Sequence, residues 1–213
     1  MPSLREGMVR TVEAQREDTV RLLQDLARVP SVTGDEGAVQ EVVAEAFRES
    51  GLLVERCEAT PEQVSPYYGH VGMQTRFGNR SNVIGIRAGS DGGKGILLNA
   101  HMDTVENGDP AAWTQGPLSG AVVDGRLYGR GSCDMKGGLA TFVAALRALG
   151  ELGVELRGDV TVAATVGEED GGVGWAHSAD EHMGIDDLLT ASRTIACLLV
   201  DWCGAAESSP GTL

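Results

Sequence analysis

The chain has 213 residues, 42% hydrophobic and 23% charged, which is the balance of a globular protein with a core large enough to fold as one domain. Its formal net charge of −14 argues against nucleic acid or an anionic membrane surface as a partner. No apolar run approaches the ~20 residues a membrane helix needs, and the charged stretch Met1 to Asp18 reads as neither a signal peptide nor an anchor.

Taken in chain order, Thr11 to Arg28 carries a helical stripe (Val12, Val20, Leu23, Leu26) that Pro30 ends. Ser31 to Glu36 is a loop that supplies the cap of a second helix, about Glu36 to Glu49, with Val39, Val42, Val43, Ala46 and Phe47 on one face. Gly51 stops it, and Leu52-Leu53-Val54 begins a strand. Thr60 to Arg80 is polar and irregular and reads as an insertion or hairpin. Asn82 to Ile86 is a strand. Gly95 to Ala100 is almost wholly apolar, as a strand buried on both faces would be. Leu139 to Leu149 is a helix with Phe142, Val143, Leu146 and Leu149 inward. Asp159 to Thr165 is a strand, and Ile195 to Val200 reads as a further buried one. Trp175 to Thr194 is the least patterned stretch, with helical potential at Ile185 to Leu189. Helices alternating with apolar strands predict an α/β layered domain around a central, mostly parallel sheet.

Four clusters of metal-liganding residues punctuate this order. His101-x-Asp103 directly follows the strand Gly95 to Ala100, and in open α/β sheets ligands bind beyond the carboxyl ends of strands. An imidazole there can ligate a metal, and an aspartate two residues on can orient it. Asp134 lies inside a glycine-rich turn, Gly129 to Gly138, where its two oxygens could bridge two cations or simply cap the next helix. Within that turn Lys136 reads as exposed and Cys133 as a small buried thiol. Glu168-Glu169-Asp170 follows the strand ending at Thr165. Three adjacent acids repel one another unless a cation sits nearby, and one of the glutamates could ligate while the other moves a proton. Asp201 ends the run Ile195 to Val200, a strand-end position like that of His101. The four clusters are nearly evenly spaced, each interval long enough for a crossover back to the same sheet edge. Four cysteines (Cys57, Cys133, Cys197, Cys203) without a C-x-x-C pair favour a reducing cytoplasm.

Leu97 to Val105, the Trp113 region, Asp124 to Gly131, Asp134-Met135-Lys136-Gly137-Gly138 and Glu168 to Gly172 resemble the dinuclear-zinc amidohydrolases that include acetylornithine deacetylase, succinyl-diaminopimelate desuccinylase, aminoacylase and carboxypeptidase G. The resemblance runs from about Val20 to Gly174. It implies two divalent ions, zinc foremost with cobalt or manganese as alternatives, and a small N-acyl amino acid or peptide as substrate. It implies that His101 ligates one ion, Asp103 orients it, Asp134 bridges, Glu168 is general base and acid, and Glu169 ligates the other ion. Asp201 is the candidate for the remaining carboxylate. Members of that family run well beyond this length, with a lid or dimerisation domain and a final histidine ligand. The expectation is therefore a truncated, single partial catalytic domain over residues 1–213, with 175–213 unassigned, working as a homodimer or with a complementing chain. A second reading is a non-catalytic homologue that binds metal or a partner chain.

Overall fold

Gln15 splits the first predicted helix. With φ −87° and ψ 12° it ends α1 (Leu4–Ala14) and opens α2 (Arg16–Arg28). Ser3 and Glu6 close a reciprocal capping box at the start of α1. This is a computed structural model, and the structure describes residues 3–67, 76–169 and 178–206. The predicted hairpin or insertion at Thr60 to Arg80 falls partly outside those residues. Its described part opens with the short helix α4 (Pro61–Val64).

Helix α3 (Gly37–Glu49) buries Val39, Val43, Ala46 and Phe47, as their spacing predicts. It packs over β1 (Leu53–Cys57) and β2 (Asn82–Arg87). Strand β3 (Ile96–His101) pairs in parallel with β6 (Val160–Thr165), giving the order β1-β2-β6-β3. The other two pairings, β1 with β2 and β2 with β6, are antiparallel. The sheet is therefore mixed, not mostly parallel. Among these neighbours only β3 and β6 are joined through a long helical crossover, the connection that returns a strand in the same direction.

That crossover contains β4 (Ala121–Val123), β5 (Arg126–Tyr128) and helix α5 (Gly137–Glu151). Helix α5 is apolar on nearly every side (Leu139, Val143, Leu146, Leu149 and six smaller residues are buried) and forms the centre of the helical layer. It packs on α1, on α2 and on a final helix, α6 (Ile185–Cys203). β7 (His182–Gly184) adds to β5 and completes a small antiparallel sheet, β4-β5-β7. Among the described residues, no helix is long and apolar enough to cross a membrane.

Two strand readings change. Ile195 to Val200 lies inside α6. The buried set Ile185, Leu188, Leu189, Ser192, Ala196, Leu199 and Cys203 repeats every three or four residues, a helical period. Read alone, a six-residue apolar run fits a strand equally well. Strand β3 is not buried on both faces, because Leu97 is 64% exposed. Leu97, Thr161, Ile86 and Leu53 line up across the four strands, and Leu53 is equally open at 63%. The helices instead cover the face that carries Leu98, Val162 and Val83.

Candidate metal centre

Strand β3 ends at His101, and the parallel strand β6 ends beside it, His101 opposite Thr165. Both chains then turn away from the sheet at one edge. Met102 N–H donates to the Thr165 carbonyl (2.9 Å), and Thr104 pairs with the Ser31 to Thr33 loop. The sheet therefore delivers His101, Asp103, Glu168 and Glu169 to one place.

The Asp134 loop closes on them from the other side. The imidazole Nε2 of His101 lies 3.1 Å from Asp134 Oδ1 and 3.7 Å from Glu168 Oε2. Ligand atoms of His101, Asp134 and Glu169 all lie within 4.8 Å of one another. Among the described residues, the ring's Nδ1 faces only acceptors, the Asp103 carbonyl at 3.1 Å and the Asp103 carboxylate at 3.5 Å. Nδ1 must therefore carry a hydrogen, and a neutral ring presents the Nε2 lone pair to two carboxylates. That arrangement calls for a positive charge. Burial pushes the His101 pKa down, but the Asp103 and Asp134 carboxylates together raise it to about 9. A proton and a divalent cation answer the same demand at Nε2. One imidazole nitrogen and two carboxylates suit a divalent ion such as zinc.

Asp103 is wholly buried and does more than face the ring. Its Oδ1 accepts from Glu168 N–H (3.2 Å), and its Oδ2 accepts from Glu169 N–H (2.8 Å) and the Thr33 hydroxyl (2.9 Å). Burial alone would raise its pKa. The bonds from His101, Glu169, Thr33 and Glu168 outweigh it and hold the carboxyl below the usual range. Thr33 is a residue the sequence did not single out. Thr33→Val keeps its shape but removes one donor from a buried carboxylate. We expect it to cost about 1–3 kcal/mol of stability, measured as a lowered urea midpoint.

Two neighbours of Asp134 correct the sequence reading. Lys136 is buried, not exposed. Its Nζ donates to the carbonyls of Leu26 (2.9 Å) and Val29 (3.1 Å), satisfying the end of α2, and burial lowers its pKa to about 8 against an opposing pull from Glu181. Cys133 is exposed rather than buried. Lys136, not Asp134, holds the cap position of α5. The fourth predicted ligand, Asp201, is not brought to the site. It sits in the last turn of α6 and pairs with Arg5 of α1 at 2.8 Å on the exposed surface. Asp170, Gly171 and Gly172 lie outside the described residues.

A cavity of about 560 Å³ opens beside Glu169, lined by Thr33, Val105, Asn107, Trp113 and Arg130 among others. That is the size of a small-molecule site. Trp113 is held there by its Nε1–H bond to the Asn107 carbonyl (2.8 Å) and by the Arg130 guanidinium, 5.0 Å from its ring.

Residues 97–190, which include every member of this cluster, match the peptidase family M20/M25/M40. The chain is 37% identical over 154 residues to a succinyl-diaminopimelate desuccinylase of Methylobacterium radiotolerans, covering 71% of this chain and 35% of that protein. This chain belongs to the M20 peptidase family. A desuccinylase of the same name from Rhodospirillum centenum is 34% identical over 157 residues, 72% of this M20 chain and 36% of its own length. The chain thus spans about a third of the length of the curated relatives it matches. Among solved structures, human carnosine dipeptidase 1 shares the fold at a TM-score of 0.66 and 20% identity, over 82% of this chain and 37% of that one. The aminopeptidase PepT of Bacillus cereus aligns at a TM-score of 0.53 and 29% identity, over 73% and 38%.

Proposed function

We propose that this M20 chain carries the metal-binding and proton-transfer half of an amidohydrolase that cleaves N-acyl amino acids or small peptides. The observation that carries the reading is the convergence of His101, Asp134 and Glu169 within 4.8 Å, with Glu168 at their rim and a cavity opening beside Glu169. In this reading His101, Asp134 and Glu169 would hold divalent cations, zinc foremost and cobalt or manganese as substitutes, with Asp134 as the carboxylate that would serve both ions. Such ions supply Lewis acidity to a water and to a carbonyl oxygen. Asp103 fixes the imidazole tautomer and the turn that bears both glutamates. The Glu168 carboxylate is exposed at the rim of the trio. It takes a proton from the attacking water and passes it to the departing amine nitrogen. The cavity beside Trp113 and Arg130 receives the acyl amino acid. All four cysteines are free, which supports a reducing compartment, the cytoplasm, as the working location.

The test is hydrolysis of N-succinyl-diaminopimelate, N-acetylornithine and N-acetylmethionine by the purified chain, with added zinc or cobalt and with chelator. We expect turnover of at least one substrate that chelator abolishes and metal restores. Ion binding without turnover of any of the three would favour the non-catalytic reading, in which the chain holds metal but does not complete the reaction. One observation supports that alternative: Asp201, the expected fourth ligand, is committed to Arg5 instead.

A further inference from the structure

We propose that Glu181 is a positioning residue that shapes the Asp134 loop for ion capture. The inference rests on the reading of His101, Asp134 and Glu169 as an ion site. Glu181 stands immediately before β7, and the antiparallel register of β7 against β5 sets its place. Tyr128 pairs with His182, and the next N–H along, that of Gly129, donates to the Glu181 carbonyl at 3.0 Å. The side chain therefore projects into the loop that β5 feeds.

There its carboxylate gathers the loop's N–H groups. Oε2 accepts from Gly131 N–H (3.1 Å) and Arg130 Nη1 (2.9 Å). Oε1 accepts from Cys133 N–H (3.1 Å) and Asp134 N–H (3.2 Å). Gly131 at φ 77° turns successive amides toward one side, a conformation open to glycine, and makes the concavity that holds an anion. A Cβ at Gly131 would also come within 2.5 Å of the Thr104 side chain. The Glu181 side chain is only 10% exposed, so these bonds act away from competing water.

The consequence falls on Asp134. Its side chain is 53% exposed, and it is the one member of the trio that a sheet strand does not deliver. Without a backbone anchor, repulsion from Glu168 and Glu169 would push it outward. Glu181 pins the Asp134 amide itself and the amides just before it, which aims the carboxylate at His101. Both Glu181 oxygens are occupied by N–H donors, so the residue acts on the ion through Asp134 rather than by ligation.

The experiment titrates the full chain with Co(II), reading affinity by equilibrium dialysis and coordination by the visible d–d absorption band. Wild type, Glu181→Ala, Glu181→Gln and Asp134→Ala are compared. We expect Glu181→Ala to weaken Co(II) binding by about 10- to 100-fold and to shift the band. Glu181→Gln keeps one acceptor oxygen for the Cys133 and Asp134 amides, so it should fall between Glu181→Ala and wild type. A folded Glu181→Ala with wild-type affinity and an unchanged band would overturn the proposal. If Glu181→Ala does not fold, Glu181→Gln decides, and an unaltered affinity and band there would overturn it equally. If wild type itself takes up no Co(II), the ion-site reading fails and this inference fails with it. Wild-type binding with indifferent Glu181 variants removes the inference alone.

Discussion

Glu168→Gln is expected to lower chelator-sensitive hydrolysis by about 10²- to 10⁴-fold while changing divalent-ion affinity only a few-fold. Glutamine preserves the shape of the side chain but cannot accept a proton at neutral pH. The Glu168 N–H bond to Asp103 comes from the backbone, so it survives the exchange. The side chain is 61% exposed and its nearest oxygen stands 3.7 Å from His101 Nε2, at the rim of the trio rather than within it. Loss should therefore appear in kcat, with KM little changed. Undiminished turnover would remove Glu168 from the reaction. Loss of ion binding along with turnover would make it a ligand instead of a base.

Arg80→Ala should destabilise the fold by about 3–5 kcal/mol, read from urea unfolding. Arg80 and Glu36 form a bidentate pair, Nε to Oε2 and Nη2 to Oε1, both at 2.7 Å, with side chains 4% and 0% exposed. Arg80 also donates to the Arg76 carbonyl (2.6 Å), and Glu36 accepts from Gly34 N–H (3.1 Å). Removing the guanidinium strands a carboxylate in the interior, which costs far more than the pair itself contributes. Replacing both partners, Glu36→Gln with Arg80→Met, should recover part of the loss. A change under about 1 kcal/mol, the range of exposed ion pairs, would show that solvent reaches Glu36 after all. The pair anchors the Ser31 to Glu36 loop, so the single variant should also weaken ion binding through Thr33 and Asp103.

Most of the centre can be read from the chain because its geometry is local. His101 and Asp103 come directly off an apolar strand, and Glu168 and Glu169 come three and four residues beyond the end of another. Two parallel neighbours ending together is a consequence of the sheet alone. Asp134 is legible through the glycines around it. Thr33 and Glu181 are not, because their contacts are long-range hydrogen bonds with no period or motif to announce them. Glu181 meets its amides across about fifty residues of sequence, by way of a three-residue strand too short to show alternation. Asp201 was misplaced for a related reason. Ile195 to Val200 reads as a strand only when taken apart from Leu188, Leu189 and Ser192, which extend the same buried face along a helix. Lys136 looks like a surface charge until the carbonyls at the end of α2 are found to need a donor.

The Asp103 carboxylate ties together three pieces of chain: its own segment after β3, the Thr33 loop, and the turn that carries Glu168 and Glu169. The conformational entropy of gathering those pieces is therefore lost when the chain folds, not when a cation arrives. At the proposed ion site, capture of a cation would then have chiefly the half-exposed Asp134 side chain left to order. Substitutions at Thr33 and at Asp103 should accordingly interact, since the two side chains share one bond of that junction.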